Sequence, residues 1–272
     1  MKARTFVLVA SAILALALSG AVYAITNGQP DGNNHPYVGL LVFDDASGPA
    51  WRCSGALIGP NLVLTAGHCT DGAVAARVWF ASDVTGNRDY PYGGPSAIEG
   101  KPYTYPGFCI GCGNGLPGFD TGDVGVVVLA KKVPKSTVSV YATLPQAGLV
   151  DTLAMKTAVD LVGYGVQVKE QIPGSPYDRW TGDLRRLAAT SQLDAADFVQ
   201  SDQFIKLSAN PGQDKGGTCF GDSGGPNLLG GTTTILAVNS YVTNYNCTGV
   251  TYSNRIDRAE LLNWVRSFSG KK

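Results

Sequence analysis

The chain has 272 residues, 44% hydrophobic and 15% charged, which supplies ample material for a packed core and excludes disorder by composition. Its formal net charge is zero, and about −2 without the first 24 residues (19 basic against 21 acidic side chains), so no charge field argues for a nucleic-acid or membrane-surface partner. Thirty-five glycines and fifteen prolines predict many short strands joined by turns, an all-β chain of two ordinary domains or one large one.

Residues 1–24 read as a secretory signal peptide. Lys2 and Arg4 form the positive start, residues 6–18 the apolar core, and Val22-Tyr23-Ala24 a small-residue cleavage site, with a rival site after Ala21. Thirteen apolar residues fall short of the roughly 20 that a membrane span needs, and no cysteine near the cleavage site offers a lipid anchor. The expected product is extracellular and leaves the membrane once the leader is removed. In that setting the six cysteines read as disulfides, with 15 possible connectivities. Cys109 and Cys112, separated by two residues, are compatible with a local disulfide, a redox centre or half a zinc site.

Further along, residues 38–43 predict a strand, and residues 54–64, broken by Gly59-Pro60-Asn61, a hairpin that delivers His68. Residues 77–81 predict another strand, and 86–118 a turn-rich stretch without periodicity. Asp123 opens the apolar strand Val124-Gly125-Val126-Val127-Val128-Leu129, whereas Asp120 reads as a solvated loop acid. Residues 134–149 look like a crossing between halves, and 166–183, polar and carrying Pro173-Gly174, like an exposed loop. Strands are expected over 184–193, 204–207 and 233–241. Leu261, Leu262, Val265 and Phe268 recur at helical spacing and predict a terminal helix over 258–268.

The chemistry gathers at Gly221-Asp222-Ser223-Gly224-Gly225-Pro226. A serine between glycines lets a carbonyl approach closely and leaves backbone N–H groups for the oxyanion that forms. Serine needs a base, and the chain has only two histidines. His35 reads as a loop or packing residue; His68 closes Leu64-Thr65-Ala66-Gly67-His68-Cys69. The Gly-x-Ser-x-Gly pattern also fits an α/β-hydrolase elbow, but that fold needs a histidine after the serine and none follows Ser223. A subtilisin-like order could start from Asp44 or Asp45, yet the βα alternation of that fold is missing.

Both segments resemble hallmarks of the trypsin/chymotrypsin-like serine peptidase family: the second matches at every position, the first departs only by Gly67 in place of alanine. Asp123-Val124-Gly125-Val126-Val127 resembles that family's buried-aspartate segment, with Gly125 for alanine, and Gly163-Tyr164-Gly165 its Gly-Trp-Gly strand end. The resemblance spans essentially the whole of residues 25–272. It implies two six-stranded antiparallel β-barrels, 25–141 and 142–272, the latter with the terminal helix, together forming one peptidase domain. It implies a triad of His68, Asp123 and Ser223, an oxyanion hole from the N–H groups of Gly221 and Ser223, and Ser240 hydrogen-bonded to the aspartate.

It further implies Cys53–Cys69 and Cys219–Cys247 bridges. These leave Cys109 with Cys112 and use up the ligands a zinc site would need. The pocket would involve Gly217, Thr218, Ser240 and Val242. Gly217 stands where basic-residue specificity requires aspartate, so the expected preference at the residue before the scissile bond (P1) is small-to-medium and uncharged; Thr218 and Asn239 leave a glutamine or glutamate preference open. Ile25-Thr26-Asn27-Gly28 resembles the family's mature N-terminus, whose ammonium would pair with Asp222. No cofactor and no metal are implied. Partners would be protein or peptide substrates and proteinaceous inhibitors, for a monomer. A catalytically silent binding protein on the same scaffold is the competing class, and side activity on esters uses the same chemistry.

Overall fold

A computed structural model describes residues 25–112, 121–173, 178–195 and 202–270. Residues 1–24, read from the sequence as a signal peptide, and Asp120 lie outside the described residues. The first ring of strands consists of β2 (Val38–Asp45), β3 (Gly48–Gly59), β4 (Leu62–Thr65), β5 (Ala75–Trp79), β6 (Ile98–Thr104) and β7 (Gly125–Leu129), preceded by a two-residue β1 (Gln29–Pro30). It closes as a barrel in the order β2-β3-β4-β7-β6-β5. The apolar strand β7 sits between β4 and β6, with Leu64 and Tyr103 both opposite Val126, and all five of its residues are buried.

Between residues 163 and 187, β9 (Val168–Gln171) and β10 (Asp178–Thr181) pair as a separate hairpin, so the loop expected over 166–183 contains a two-stranded ribbon. The second ring comprises β8 (Ala158–Gly163), β11 (Leu187–Ala195), β12 (Phe204–Ala209), β13 (Pro226–Leu229), β14 (Ile235–Val242) and β15 (Gly249–Arg255). Pairing of β8 with both β11 and β13 closes this ring too, and β1 extends it by joining β11. The chain is thus two closed six-stranded antiparallel barrels, as the resemblance implied.

The strand β6 corrects the turn-rich reading of 86–118. Gly100 and Pro102 disguise it: pairing with β5 covers only Ile98–Gly100, and Pro102 lies beyond, where β7 is its one neighbouring strand, so the missing N–H is tolerated. The terminal helix, which we label α2 (Ala259–Arg266), is too short to persist alone. It is held by packing. Leu261, Leu262 and Val265 are buried, and the rings of Trp264 and Phe268 meet Tyr105 and Tyr103 of the first barrel at 5.4 and 5.0 Å. Each buried side chain of this size contributes about 1.5–3 kcal/mol, so the helix fastens the end of the second barrel to the first.

Candidate active site

His68 sits in α1 (Gly67–Thr70), a single turn that cannot hold itself. Three contacts fix it to the barrel. The Cys53–Cys69 disulfide ties it to β3, the indole N–H of Trp51 donates to the Cys69 carbonyl at 2.8 Å, and the Thr70 hydroxyl shares a hydrogen bond with the Thr104 hydroxyl of β6 at 2.9 Å. The two glycines that depart from the family pattern face one contact. A Cβ on Gly67 would stand 3.0 Å from the Val124 nitrogen, and one on Gly125 would stand 2.5 Å from the Thr70 hydroxyl oxygen. The helical turn therefore lies closer to β7 than alanines would permit.

That approach brings His68 onto Asp123. The backbone N–H of His68 donates to Asp123 Oδ1 at 2.7 Å, and the ring Nδ1 lies 2.9 Å from Oδ2 and 3.1 Å from Oδ1. With carboxylate oxygens as its partners, Nδ1 carries the ring proton, which makes Nε2 the basic atom. The Ser240 hydroxyl, from β14, donates to Oδ2, and the Asp123 N–H donates to Asn254 Oδ1 at 3.0 Å. Asp123 is fully buried. Burial raises its pKa, but the charge of His68 and the hydrogen bonds from His68 and Ser240 outweigh it and hold the carboxyl below its ordinary value.

Ser223 enters from the second barrel on a loop bracketed by one strand from each. The Ser54 N–H of β3 donates to the Ser223 carbonyl at 2.8 Å, and the Gly224 N–H donates to the Asn239 carbonyl of β14 at 2.8 Å. Gly224 (φ +75°) lies so close to the end of β4 that a Cβ there would be 2.0 Å from the Thr65 hydroxyl and 2.6 Å from the Ala66 nitrogen, two residues before His68. The Ser54 hydroxyl draws the Gly221 carbonyl away at 2.9 Å, and the Asp222 N–H donates to the Cys219 carbonyl at 3.0 Å. Among the described residues, the N–H groups of Gly221 and Ser223 have no acceptor in the protein.

The Asp222 carboxylate is buried and accepts the N–H groups of Gly165 at 2.8 Å and Cys219 at 2.9 Å. Burial pushes its pKa up to about 6, partly offset by those two hydrogen bonds and by Arg52. Ile25 is buried in the second barrel's core, and Thr26 pairs with Gly217 through N–H to carbonyl at 2.8 Å. No contact joins Ile25 to Asp222 among the interactions of the described residues. Its nitrogen is an uncharged amide in the chain that continues to Ala24.

Beside Ser223 opens a cleft of about 250 Å³, with Thr218, Phe220, Ser240, Tyr241 and Val242 in its walls. Gly217 instead lies behind it, where a Cβ would meet Ala209 Cβ at 2.4 Å. Asn239 lines the cleft, but its amide is committed to the Asp222 carbonyl at 3.0 Å and to Asn227 at 2.5 Å. Phe220, in the cleft wall and 40% exposed, has its ring centroid 5.5 Å from that of Tyr245, which is 52% exposed. The Cys219–Cys247 disulfide ties together the segments carrying them, and Cys109–Cys112 closes a local loop. Non-reducing peptide mapping is expected to recover these three pairs; a Cys53–Cys109 peptide would contradict them. His35 pairs with Asp31 at 2.5 Å, and Asp31 with the buried Arg186 at 2.7 Å, a network away from the cleft. Asn254, Phe220 and Tyr245 carry no sequence signal, because strand pairing and a remote loop bring them to the site.

Two closed barrels with this loop between them define the chymotrypsin-like fold. The Trypsin family profile matches residues 25–265, and the chain belongs to that family: it is a serine-type endopeptidase. It is 26% identical over 264 residues to the cercarial protease of Schistosoma mansoni, covering 91% of this chain and 90% of that protein. It is 24% identical over 252 residues to chymotrypsin-like elastase family member 3B of Macaca mulatta, covering 82% and 90%. The structure of HL collagenase superposes with a TM-score of 0.69 at 20% identity, covering 90% of this chain and 99% of that one.

Proposed function

We propose that peptide bonds are cut by a triad of Ser223, His68 and Asp123. Ser223 Oγ attacks the substrate carbonyl carbon as its proton passes to His68 Nε2. The resulting oxyanion accepts hydrogen bonds from the N–H groups of Gly221 and Ser223, each such donor lowering the barrier by about 3–4 kcal/mol. As the C–N bond breaks, His68 gives the proton to the leaving amine. Water then repeats the sequence on the acyl-enzyme and releases the acid. Asp123, clasped by Ser240 and the His68 backbone, orients the ring and stabilises the imidazolium. The observation that carries this reading is the pair of unused N–H groups flanking Asp222, beside a histidine whose Nδ1 is fixed by a buried carboxylate. Labelling by a serine-directed phosphonate probe tests it: wild type should react, and a catalytically silent binding protein would not.

The cleft favours uncharged P1 side chains. Its described walls hold no acidic group, so a lysine or arginine would be desolvated without a partner. Val242 and Phe220, both in the cleft wall, would narrow it toward small-to-medium side chains. A peptide-library profile should be poor in lysine and arginine at P1; one dominated by arginine would overturn this assignment. We further propose secretion with cleavage after Ala24, which would free the α-amino group of Ile25 to pair with Asp222. No described helix is long and apolar enough to cross a membrane. Substrates would be proteins or peptides, the enzyme acting as a monomer open to proteinaceous inhibitors.

A further inference from the structure

Arg52 lies in β3, one residue before the cysteine bridged to Cys69 and two before the serine whose N–H holds the Ser223 carbonyl. Its Nε is 3.3 Å from the point a Cβ on Gly221 would occupy, so the guanidinium stands against the glycine offered as an oxyanion donor. The residue is half-buried. The other well-buried arginines are matched: Arg77 by Asp44, Arg186 by Asp31, and Arg255 by Asp257 and Asp151. The guanidinium of Arg52 has no hydrogen-bonded or carboxylate partner among the described residues, although its field reaches Asp222. Beside it runs a groove of about 300 Å³ walled by Pro49, Trp51, Tyr90 and Pro91.

The direction of the substrate follows from the two strands that bracket Ser223. The P1 cleft lies on the β14 side, formed by Ser240, Tyr241 and Val242. The residues beyond the scissile bond therefore leave on the β3 side, over Arg52 and its groove. An arginine that is partly desolvated and unpaired matches a carboxylate, which its planar fork can hold through two parallel hydrogen bonds. The apolar walls beside it suit the stem of the residue that carries the charge. We infer that Arg52 is a specificity residue that receives a substrate carboxylate on the leaving-group side of the scissile bond. That carboxylate is an acidic side chain or the free C-terminus of a short substrate. The inference rests on the peptidase reading above.

Four peptides with the same acyl half separate the sources. They carry glutamate or glutamine two residues after the scissile bond, and each ends as the acid or the amide. In wild type, the glutamate amide or the glutamine acid should exceed the glutamine amide in kcat/KM by about five- to tenfold, which tells side chain from C-terminus. In Arg52→Gln that ratio should fall close to one, and Arg52→Lys should restore part of it. The same peptides titrated calorimetrically into Ser223→Ala, with and without Arg52→Gln, read the carboxylate contact without turnover. If wild type cuts none of the four while the titration keeps the charge preference, the peptidase reading fails and the Arg52 contact stands. Equal losses on all four peptides would make Arg52 a support for the Asp222 loop and overturn the inference. A charge preference that survives Arg52→Gln in the titration would overturn it too.

Discussion

Ser223→Ala is expected to lower peptide turnover by a factor on the order of 10⁴–10⁶ and to leave thermal unfolding nearly unchanged. The side chain loses one oxygen, and no hydrogen bond from the Ser223 hydroxyl supports the fold among the described residues; the contacts that place the loop come from Ser54, Gly224, Asn239 and the Asp222 carboxylate. His68→Ala should cost a similar factor, because the two residues act as a unit and the second loss finds little left to remove. Ser240→Ala is different in kind. It leaves the Asp123 carboxylate its contacts from His68 and should slow turnover without abolishing it. Progress curves on one peptide at matched active-site concentration separate these outcomes. Turnover by Ser223→Ala within tenfold of wild type would reject the mechanism.

What could be read in advance was what lies close together along the chain. His68 and Ser223 each stand in a run of six residues whose neighbours have local work: a cysteine beside the histidine, and glycines where the serine loop presses on β4. Asp123 was legible because the apolar strand that follows it is continuous. Asn254 was not, since its contact depends on the register that sets β15 beside β14. Arg52 was silent for a similar reason, its meaning residing in the absence of a partner that only the folded chain can reveal. The strand β6 is hidden in the sequence because glycine and proline interrupt it, and the β9–β10 hairpin because Val168-Lys169-Glu170-Gln171 and Asp178-Arg179-Trp180-Thr181 carry no apolar alternation. Gly67 and Gly125, which read as two separate departures from a pattern, belong to one close contact between α1 and β7.

A chain that begins at Ile25 is expected to be active, and the same chain with one added residue should be slower by about 10²–10³-fold. The added residue turns the α-amino group into an amide, and breaking a buried ion pair costs roughly 3–5 kcal/mol. Ile25 is buried in the second barrel, and Thr26 is paired with Gly217, two residues before the Cys219 N–H that Asp222 accepts. In the extended chain Asp222 has N–H donors and the field of Arg52 but no salt bridge among the described residues, and burial raises its pKa to about 6 from 3.8. Between those values the folded state keeps a proton that the unfolded state has lost, so stability should fall as pH rises from about 4 to 6 and then level off. In the chain starting at Ile25 the ammonium would favour the charged carboxylate and remove that slope. Its own contribution would be present below the free amine's value of about 8 and would be lost as pH rises through its elevated folded value. Denaturant midpoints measured against pH for the two chains test this pairing directly. Equal activity of both chains, or parallel stability profiles between pH 4 and 6, would exclude it.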